Sequence, residues 1–152
     1  MICDYKTLIL DIYGVIFKEE KSENCDIENL TLDKDFIDFA KKTKEKYQIV
    51  LLSNDSLEHS KRITEFYGID DLFDERILSD ETGFKKPSLE IFDAALEKIG
   101  RKPSECIFVD SKVKNLLYAE EVGISALLFN RSDEHFEGMT VYSFKELFDI
   151  IG

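Results

Sequence analysis

The sequence has 152 residues, of which 43% are hydrophobic and 34% are charged, and its formal net charge is −12. This length and composition suit one domain with a sizeable core, so we expect residues 1–152 to form a single domain. A surface this acidic repels nucleic-acid backbones and anionic lipid headgroups, and we expect neither as a partner. Local basic residues could still bind an anion inside a cleft.

The cysteines and the apolar runs indicate the cellular compartment of the protein. Cys3, Cys25 and Cys106 are widely spaced and form no CxxC pair, which argues against a disulfide framework and against a zinc cluster. The chain has no apolar run of the ~18 residues that a membrane span needs. Its N-terminal segment is too short and too acidic for a signal peptide. We therefore expect a cytoplasmic protein with no membrane partner.

Short apolar runs alternate with longer amphipathic ones along the chain. The apolar runs predict strands at residues 7–11, 48–53, 76–78, 106–109 and 125–129. The amphipathic runs predict helices at residues 35–47, 56–67, 88–99 and 112–122, and a last short helix that opens at the capping box Ser143-x-x-Glu146. Strands that alternate with helices predict an α/β fold, a parallel sheet covered by helices on both faces. Such sheets place their chemistry at the carboxyl ends of the strands.

Polar residues stand beside these strand ends. Asp11 and Asp110 each follow an apolar run, Ser53 and Asn54 end another, and Lys86 precedes the third long helix. Two carboxylates can hold Mg²⁺, which prefers oxygen ligands. A lysine and a hydroxyl can bind phosphoryl oxygens, and a carboxylate can attack phosphorus. Each residue alone has an ordinary explanation as a cap or a turn residue, but together, in this order, they predict a phosphate and metal site.

Four segments resemble the motifs of the haloacid dehalogenase superfamily in order, type and approximate spacing: LILDIYGVIF, LLSN, GFKKPSLEIF and FVDSKVKNLLYAEEVGI. The resemblance runs from residue 8 to about residue 129. It implies a Rossmann-like three-layer sandwich with a central parallel sheet, and Mg²⁺ as cofactor. It also implies that Asp11 is the nucleophile and a magnesium ligand, together with the main-chain carbonyl of Tyr13 and the carboxylate of Asp110.

The same resemblance implies a phosphate-binding set. Ser53 would bind the phosphoryl group, helped by the main chain of Asn54. Lys86 would be catalytic and would neutralise charge between the phosphoryl oxygens and Asp11. Lys85 is its neighbour, but the lysine directly before a proline matches the motif better. Asn115 matches an amide that supports the loop of the fourth motif.

Tyr13 departs from the pattern of phosphatases in this family, which carry a second aspartate two positions after the nucleophile. That aspartate protonates the leaving group and later activates water, and such help is typically worth about 10²–10⁴ in rate. A phenol with a pKa near ~10 replaces it poorly at neutral pH, so turnover could be slow. Asp55, two residues after Ser53, could lie close enough to substitute.

The Asp-x-Tyr-Gly opening also looks like the dehalogenase branch, whose nucleophile attacks carbon without a metal. Three features argue against that branch. Asp110 remains where metal binding is expected, and Val15 stands where a threonine hydroxyl is usual. The cap domain that would enclose a haloacid is missing, because the gaps from Asp11 to Ser53 and from Ser53 to Lys86 are too short for a domain of ~50 residues.

The absence of a cap implies an open site. Open sites suit large substrates such as phosphorylated macromolecules, or closure by a partner in a homo-oligomer. The short acidic insertion at residues 18–34 could be a mobile flap or an ordinary solvated loop.

Three functions remain open from the sequence. The first is a magnesium-dependent phosphatase that acts on a phosphorylated small molecule or macromolecule through an aspartyl phosphate. The second is a non-catalytic module that binds phosphate or magnesium, or regulates a partner. The third is a metal-independent hydrolase of the dehalogenase type.

Overall fold

The computed structural model describes residues 4–20 and 26–152. Within them one parallel sheet has the strand order β3-β2-β1-β4-β5-β6. Its strands are β1 (Thr7–Leu10), β2 (Gln48–Ser53), β3 (Glu75–Leu78), β4 (Cys106–Asp110), β5 (Ser125–Phe129) and β6 (Met139–Val141). The helices are α1 (Phe36–Thr43), α2 (Leu57–Phe66), α3 (Ser79–Thr82), α4 (Leu89–Ile99), α5 (Val113–Glu121) and α6 (Phe144–Ile151).

The central strands bury both of their faces, because successive side chains point to opposite sides of a sheet. In β1, Leu8 and Leu10 pack into one hydrophobic core and Ile9 packs into the other. Helices α1, α2 and α6 cover the first face, and α4 and α5 cover the second. The predicted Rossmann-like three-layer α/β sandwich is confirmed. No helix in the described part of the chain has the length and apolar character needed to cross a membrane.

Serine caps begin three of the helices where the sequence predicts them. The hydroxyl oxygens of Ser56, Ser88 and Ser143 accept hydrogen bonds from main-chain N–H groups three residues further on, at 3.1, 3.2 and 3.1 Å. Each bond satisfies a donor that the first turn of a helix leaves without an internal partner. Local sequence chemistry therefore sets where these helices start.

Tyr47 explains why α1 is shorter than the sequence predicts. The predicted helix runs to residue 47, but α1 ends at Thr43. The Tyr47 side chain is buried, and its hydroxyl donates a hydrogen bond to the main-chain oxygen of Ile151, at 2.8 Å. The chain must therefore leave the helix before Tyr47 in order to enter β2. The sequence prediction also missed β6 and the single turn of α3, which are too short to show a periodic pattern.

The insertion at residues 18–34 carries no folded cap in its described part. A single 3₁₀ turn at Ile27–Asn29 is its regular structure there, and residues 21–25 lie outside the described residues. The described ends are held to the body of the domain, since the Tyr67 hydroxyl donates to the main-chain oxygens of Ile27 and Leu30 at 2.6 and 2.8 Å. Movement of this segment stays a prediction.

We expect Tyr47→Phe to lower the free energy of unfolding by about 1 kcal/mol, because it removes one buried hydrogen bond and little else. Urea unfolding would measure the loss. Tyr142→Phe is the matched control, because Tyr142 is 62% exposed, and it should leave the unfolding midpoint unchanged. Equal midpoints for the two variants would show that the hydrogen bond from Tyr47 to Ile151 does not stabilise the chain's exit from α1.

Candidate active site

Strand register brings the two predicted metal-binding carboxylates together. β1 and β4 are neighbours, and Leu10 pairs with Val109. The next residue on each strand is an aspartate, and the Asp11 N–H donates to the Val109 oxygen at 3.1 Å. Asp11 and Asp110 therefore lie side by side at the carboxyl end of the sheet. The connection after β1 runs to β2 and the connection after β4 runs to β5, toward opposite edges of the sheet, which makes the space between β1 and β4 the crevice where ligands bind in such folds.

Lys86 joins these carboxylates through its ammonium group. Its Nζ donates to Asp11 Oδ1 at 2.8 Å, to Asp110 Oδ2 at 3.1 Å and to the main-chain oxygen of Leu52 at 3.2 Å. The Lys86 side chain is only 4% exposed. All three hydrogens of the ammonium group are thus used in a site that excludes most water.

Burial and charge shift the pKa values of this cluster. The pKa of Asp11 is raised from 3.8 to about 7, chiefly by burial and then by the neighbouring charge of Asp110, although Lys86 acts against the rise. Burial alone would lower the pKa of Lys86, but the two carboxylates outweigh it and hold that pKa above its ordinary value. The ammonium group therefore stays charged, and the carboxylates are short of positive charge.

Asn54 and Asn115 hold the loops that carry this cluster. The Asn54 amide oxygen accepts from the Lys86 N–H at 2.8 Å, and its amide nitrogen donates to the Lys86 carbonyl at 3.1 Å. The Asn115 amide donates to Asp110 Oδ2 at 3.0 Å. Asn54 thus acts on Lys86 through its side chain, which the sequence analysis did not foresee. Asn115 supports Asp110 as expected.

Tyr13 and Ser53 meet at the carboxylate of Asp55. The Tyr13 hydroxyl donates to Asp55 Oδ2 at 3.0 Å, and the Ser53 hydroxyl donates to the same oxygen at 2.5 Å. The side chain of Asp55 is only 8% exposed. Burial raises the pKa of Asp55 above its ordinary value, although the bonds from Ser53 and Tyr13 act against the shift. Asp55 therefore shares a hydrogen-bond network with the residue that replaces the usual acid.

A pocket of about 310 Å³ opens over these groups. Its walls include Asp11, Tyr13, Asn54, Asp55 and Lys86. Ser53 and Asp110 lie beneath them and are almost fully buried. The structure thus gathers every predicted site residue into one place, although their roles stay predictions.

The donor set of the pocket suits a magnesium ion. Within residues 4–20 and 26–152 there is no group of three His, Cys, Asp or Glu side chains placed to hold a metal. Magnesium does not need one, because it binds through one or two carboxylates and keeps several of its waters. Asp11 and Asp110 supply two carboxylates against the single charge of Lys86, and burial together with the Asp110 charge raises the pKa of Asp11. A divalent cation would offset this excess of negative charge.

Arg131 is a residue of this region that the sequence analysis missed. Its guanidinium donates to the main-chain oxygens of Gly14 and Val15, at 3.2 and 2.8 Å, and to Asp33 Oδ2 at 2.5 Å. The group also stacks over the ring of Phe129, 4.7 Å from its centroid. Arg131 thereby fixes the loop that follows Asp11. Its one sequence signal is its place just beyond the carboxyl end of β5.

We expect Arg131→Ala to lower the free energy of unfolding by about 2–4 kcal/mol, because the largely buried Asp33 carboxylate and the Val15 oxygen lose their donor. Arg62→Ala is the matched control, since Arg62 is exposed on α2, and it should cost almost nothing. Chemical denaturation of both variants would compare them. Similar losses would show that Arg131 is not a structural clamp.

Residues 5–123 match the family model of haloacid dehalogenase-like hydrolases. The chain belongs to this family. The resemblance stated from the four motifs is therefore confirmed, and so is the α/β architecture without an evident cap among the described residues.

Among curated proteins, a glyceraldehyde 3-phosphate phosphatase of Methanothermobacter thermautotrophicus is 44% identical over 64 residues, which cover 41% of this chain and 28% of that protein. The chain spans less than half the length of the curated relatives it matches.

Solved structures of the family superimpose on nearly the whole chain. A dehalogenase matches with a TM-score of 0.87 at 16% identity, over 99% of both chains. A Bacteroides thetaiotaomicron family enzyme, solved as an Asp-to-Ala mutant with magnesium and inorganic phosphate, matches with a TM-score of 0.69 at 22% identity. That match covers 88% of this chain and 97% of the other. At such identities the likeness shows a shared fold.

Proposed function

We propose that this protein is a Mg²⁺-dependent phosphohydrolase that works through an aspartyl phosphate on Asp11. The observation that carries the proposal is the buried contact of Lys86 Nζ with both Asp11 and Asp110 at the base of an open pocket. A carboxylate beside a fixed ammonium group is the arrangement that a phosphoryl-transfer nucleophile needs, because the ammonium group stabilises charge on the transferred oxygens. The relative named as a phosphatase supports this choice over a dehalogenase.

We assign a group to each step of the proposed reaction. An oxygen of Asp11 attacks phosphorus, a new O–P bond forms, and the bond from phosphorus to the ester oxygen breaks. Water then attacks the aspartyl phosphate, which frees Asp11 and releases inorganic phosphate. Ser53 and Lys86 would hold the phosphoryl oxygens through both steps, once the Ser53 hydroxyl and one Lys86 hydrogen turn from their present acceptors, Asp55 and Asp11.

Magnesium is the cofactor that we propose for this site. Asp11, Asp110 and the main-chain carbonyl of Tyr13 would hold the ion, with water completing its shell. When bound, it would stabilise the negative charge that develops on the phosphoryl oxygens. The magnesium and phosphate complex of the structural neighbour supports this proposal.

Asp55 is our candidate for the proton donor that Tyr13 does not provide. Its carboxyl group lies in the pocket wall and within hydrogen-bond distance of Tyr13 and Ser53. In the first step it would protonate the departing oxygen, and in the second it would take the proton of the attacking water. The Tyr13 hydroxyl would orient the carboxyl group rather than replace it.

The first experiment is hydrolysis of 4-nitrophenyl phosphate with magnesium and with a chelator. This ester has a good leaving group, so the need for an acid is smallest. We expect magnesium-dependent turnover that Asp11→Asn lowers by more than about 10³-fold, because the nucleophile is lost. Asp93→Asn is the matched control, since Asp93 is exposed on α4, and it should keep full activity.

Other results of that experiment have clear meanings. A folded native protein that binds magnesium but is no faster than Asp11→Asn would favour the non-catalytic module. Turnover that survives the chelator, together with halide release from a 2-haloacid, would favour the dehalogenase type. Either result would overturn the phosphohydrolase.

We expect Asp55→Asn to lower kcat by about 10²–10⁴-fold with an alkyl phosphate and by much less with 4-nitrophenyl phosphate. The difference arises because a poor leaving group needs its proton more. Tyr13→Phe removes the hydrogen bond to Asp55 but leaves its carboxyl group, and should cost less than about tenfold. Steady-state kinetics of the three proteins on both esters would test this. Equal losses on the two esters would show that Asp55 only positions Ser53.

A further inference from the structure

Two lysines form a basic rim on one side of the pocket, and the proposed chemistry does not use them. Lys112 and Lys114 line the same pocket as Asp11 and Lys86, in a chain whose net charge is −12. The Lys112 N–H donates to Asp110 Oδ1 at 2.9 Å. This bond ties the basic rim directly to the buried cluster, so a ligand held in the pocket would reach both.

The chain itself places a carboxylate on this rim. Glu20 Oε2 lies 3.0 Å from Lys112 Nζ and 3.4 Å from the Ser111 hydroxyl. Gly14 makes room for this contact, since a Cβ atom there would lie 2.4 Å from Ser111 Oγ and 3.2 Å from Glu20 Oε2. The ammonium and the hydroxyl thus already bind a carboxylate in the structure.

Lys114 has no ion-pair partner in residues 4–20 and 26–152. Its exposed ammonium group extends the rim beyond the position that Glu20 takes. Two cations at one wall, only one of them neutralised by the chain, leave a positive charge for a ligand.

We propose that the basic rim of Lys112 and Lys114 binds a second anionic group of the substrate, and that the substrate is a small phosphomonoester bearing a carboxylate. The inference rests on the proposed phosphohydrolase activity, which places the phosphate at Asp11. The pocket volume of about 310 Å³ suits a small molecule. The substrate carboxylate would replace Glu20 on Lys112 or pair with Lys114, and these lysines would set specificity.

The test compares two ligands that differ in one charge, 4-carboxyphenyl phosphate and the neutral amide 4-carbamoylphenyl phosphate. Calorimetry on the Asp11→Asn protein with magnesium measures binding without depending on turnover. We expect the carboxylate to bind about fivefold more tightly, since partly exposed ion pairs contribute modestly. Adding Lys112→Gln and Lys114→Gln should bring the ratio of the two dissociation constants close to one.

Two further variants make the test specific. Lys41→Gln removes an exposed lysine on α1 that does not line the pocket, and should keep the full ratio. Glu20→Gln should raise the preference for the carboxylate by about two- to threefold, because the internal competitor for Lys112 loses its charge. The glutamate and lysine variants should change the ratio of the two dissociation constants in opposite directions, which general damage to the fold would not do.

The remaining results separate this inference from the proposed function. Three results would overturn the proposed role of the basic rim. The two dissociation constants could be equal before any lysine is changed, their ratio could survive the loss of both lysines, or neither ligand could bind. Selective binding by the Asp11→Asn protein, with no turnover of either ester by the native protein, would keep the rim as an anion site and overturn the hydrolase. Turnover of both esters at equal kcat/KM and equal affinity would support the hydrolase and overturn the rim as an anion site.

Discussion

The ammonium group of Lys86 is the interaction on which the site depends. It is almost completely buried, yet it reaches two carboxylates that belong to two neighbouring strands. Burying Asp11 beside Asp110 without it would place two like charges together in a region that excludes water, which is costly. Even so, burial and the charge of Asp110 keep the pKa of Asp11 above its ordinary value. One ammonium group faces two carboxylates, and the proposed magnesium ion would supply the missing positive charge.

Tyr13 replaces the usual second aspartate, but the pocket still has a second carboxyl group. Asp55 comes from a different strand end, and its carboxylate accepts bonds from Tyr13 and Ser53. The fold can supply the group from this direction because β1 and β2 are neighbours, so the loops after them face the same crevice. This arrangement is what makes catalysis by this chain physically reasonable despite the altered motif.

The chain as a whole is acidic, but one wall of its pocket is basic. A net charge of −12 would disfavour any anionic ligand at long range. Asp11, Glu20 and Asp55 also line the pocket. Lys112 and Lys114 nevertheless supply positive charge at one wall, so attraction acts at short range instead. The carboxylate of Glu20 neutralises the charge of Lys112. A ligand with two anionic groups would gain most from such a pocket, because each of its charges has a cation to meet.

The sequence by itself determined the α/β class, the buried strands, the serine-capped helices and the identity of Asp11, Ser53, Asn54, Lys86 and Asp110 as one set. These follow from local periodicity, from caps within a few residues, and from motifs at strand ends. Tertiary structure alone decided that α1 stops before Tyr47 and that β6 joins the sheet. It also decided that Asn54 holds the Lys86 loop and that Arg131 fixes the loop after Asp11. It also placed Glu20 on Lys112, a pair separated by 92 positions. Each of these features depends on contacts between segments far apart in the chain, and no local pattern in the sequence encodes such a contact.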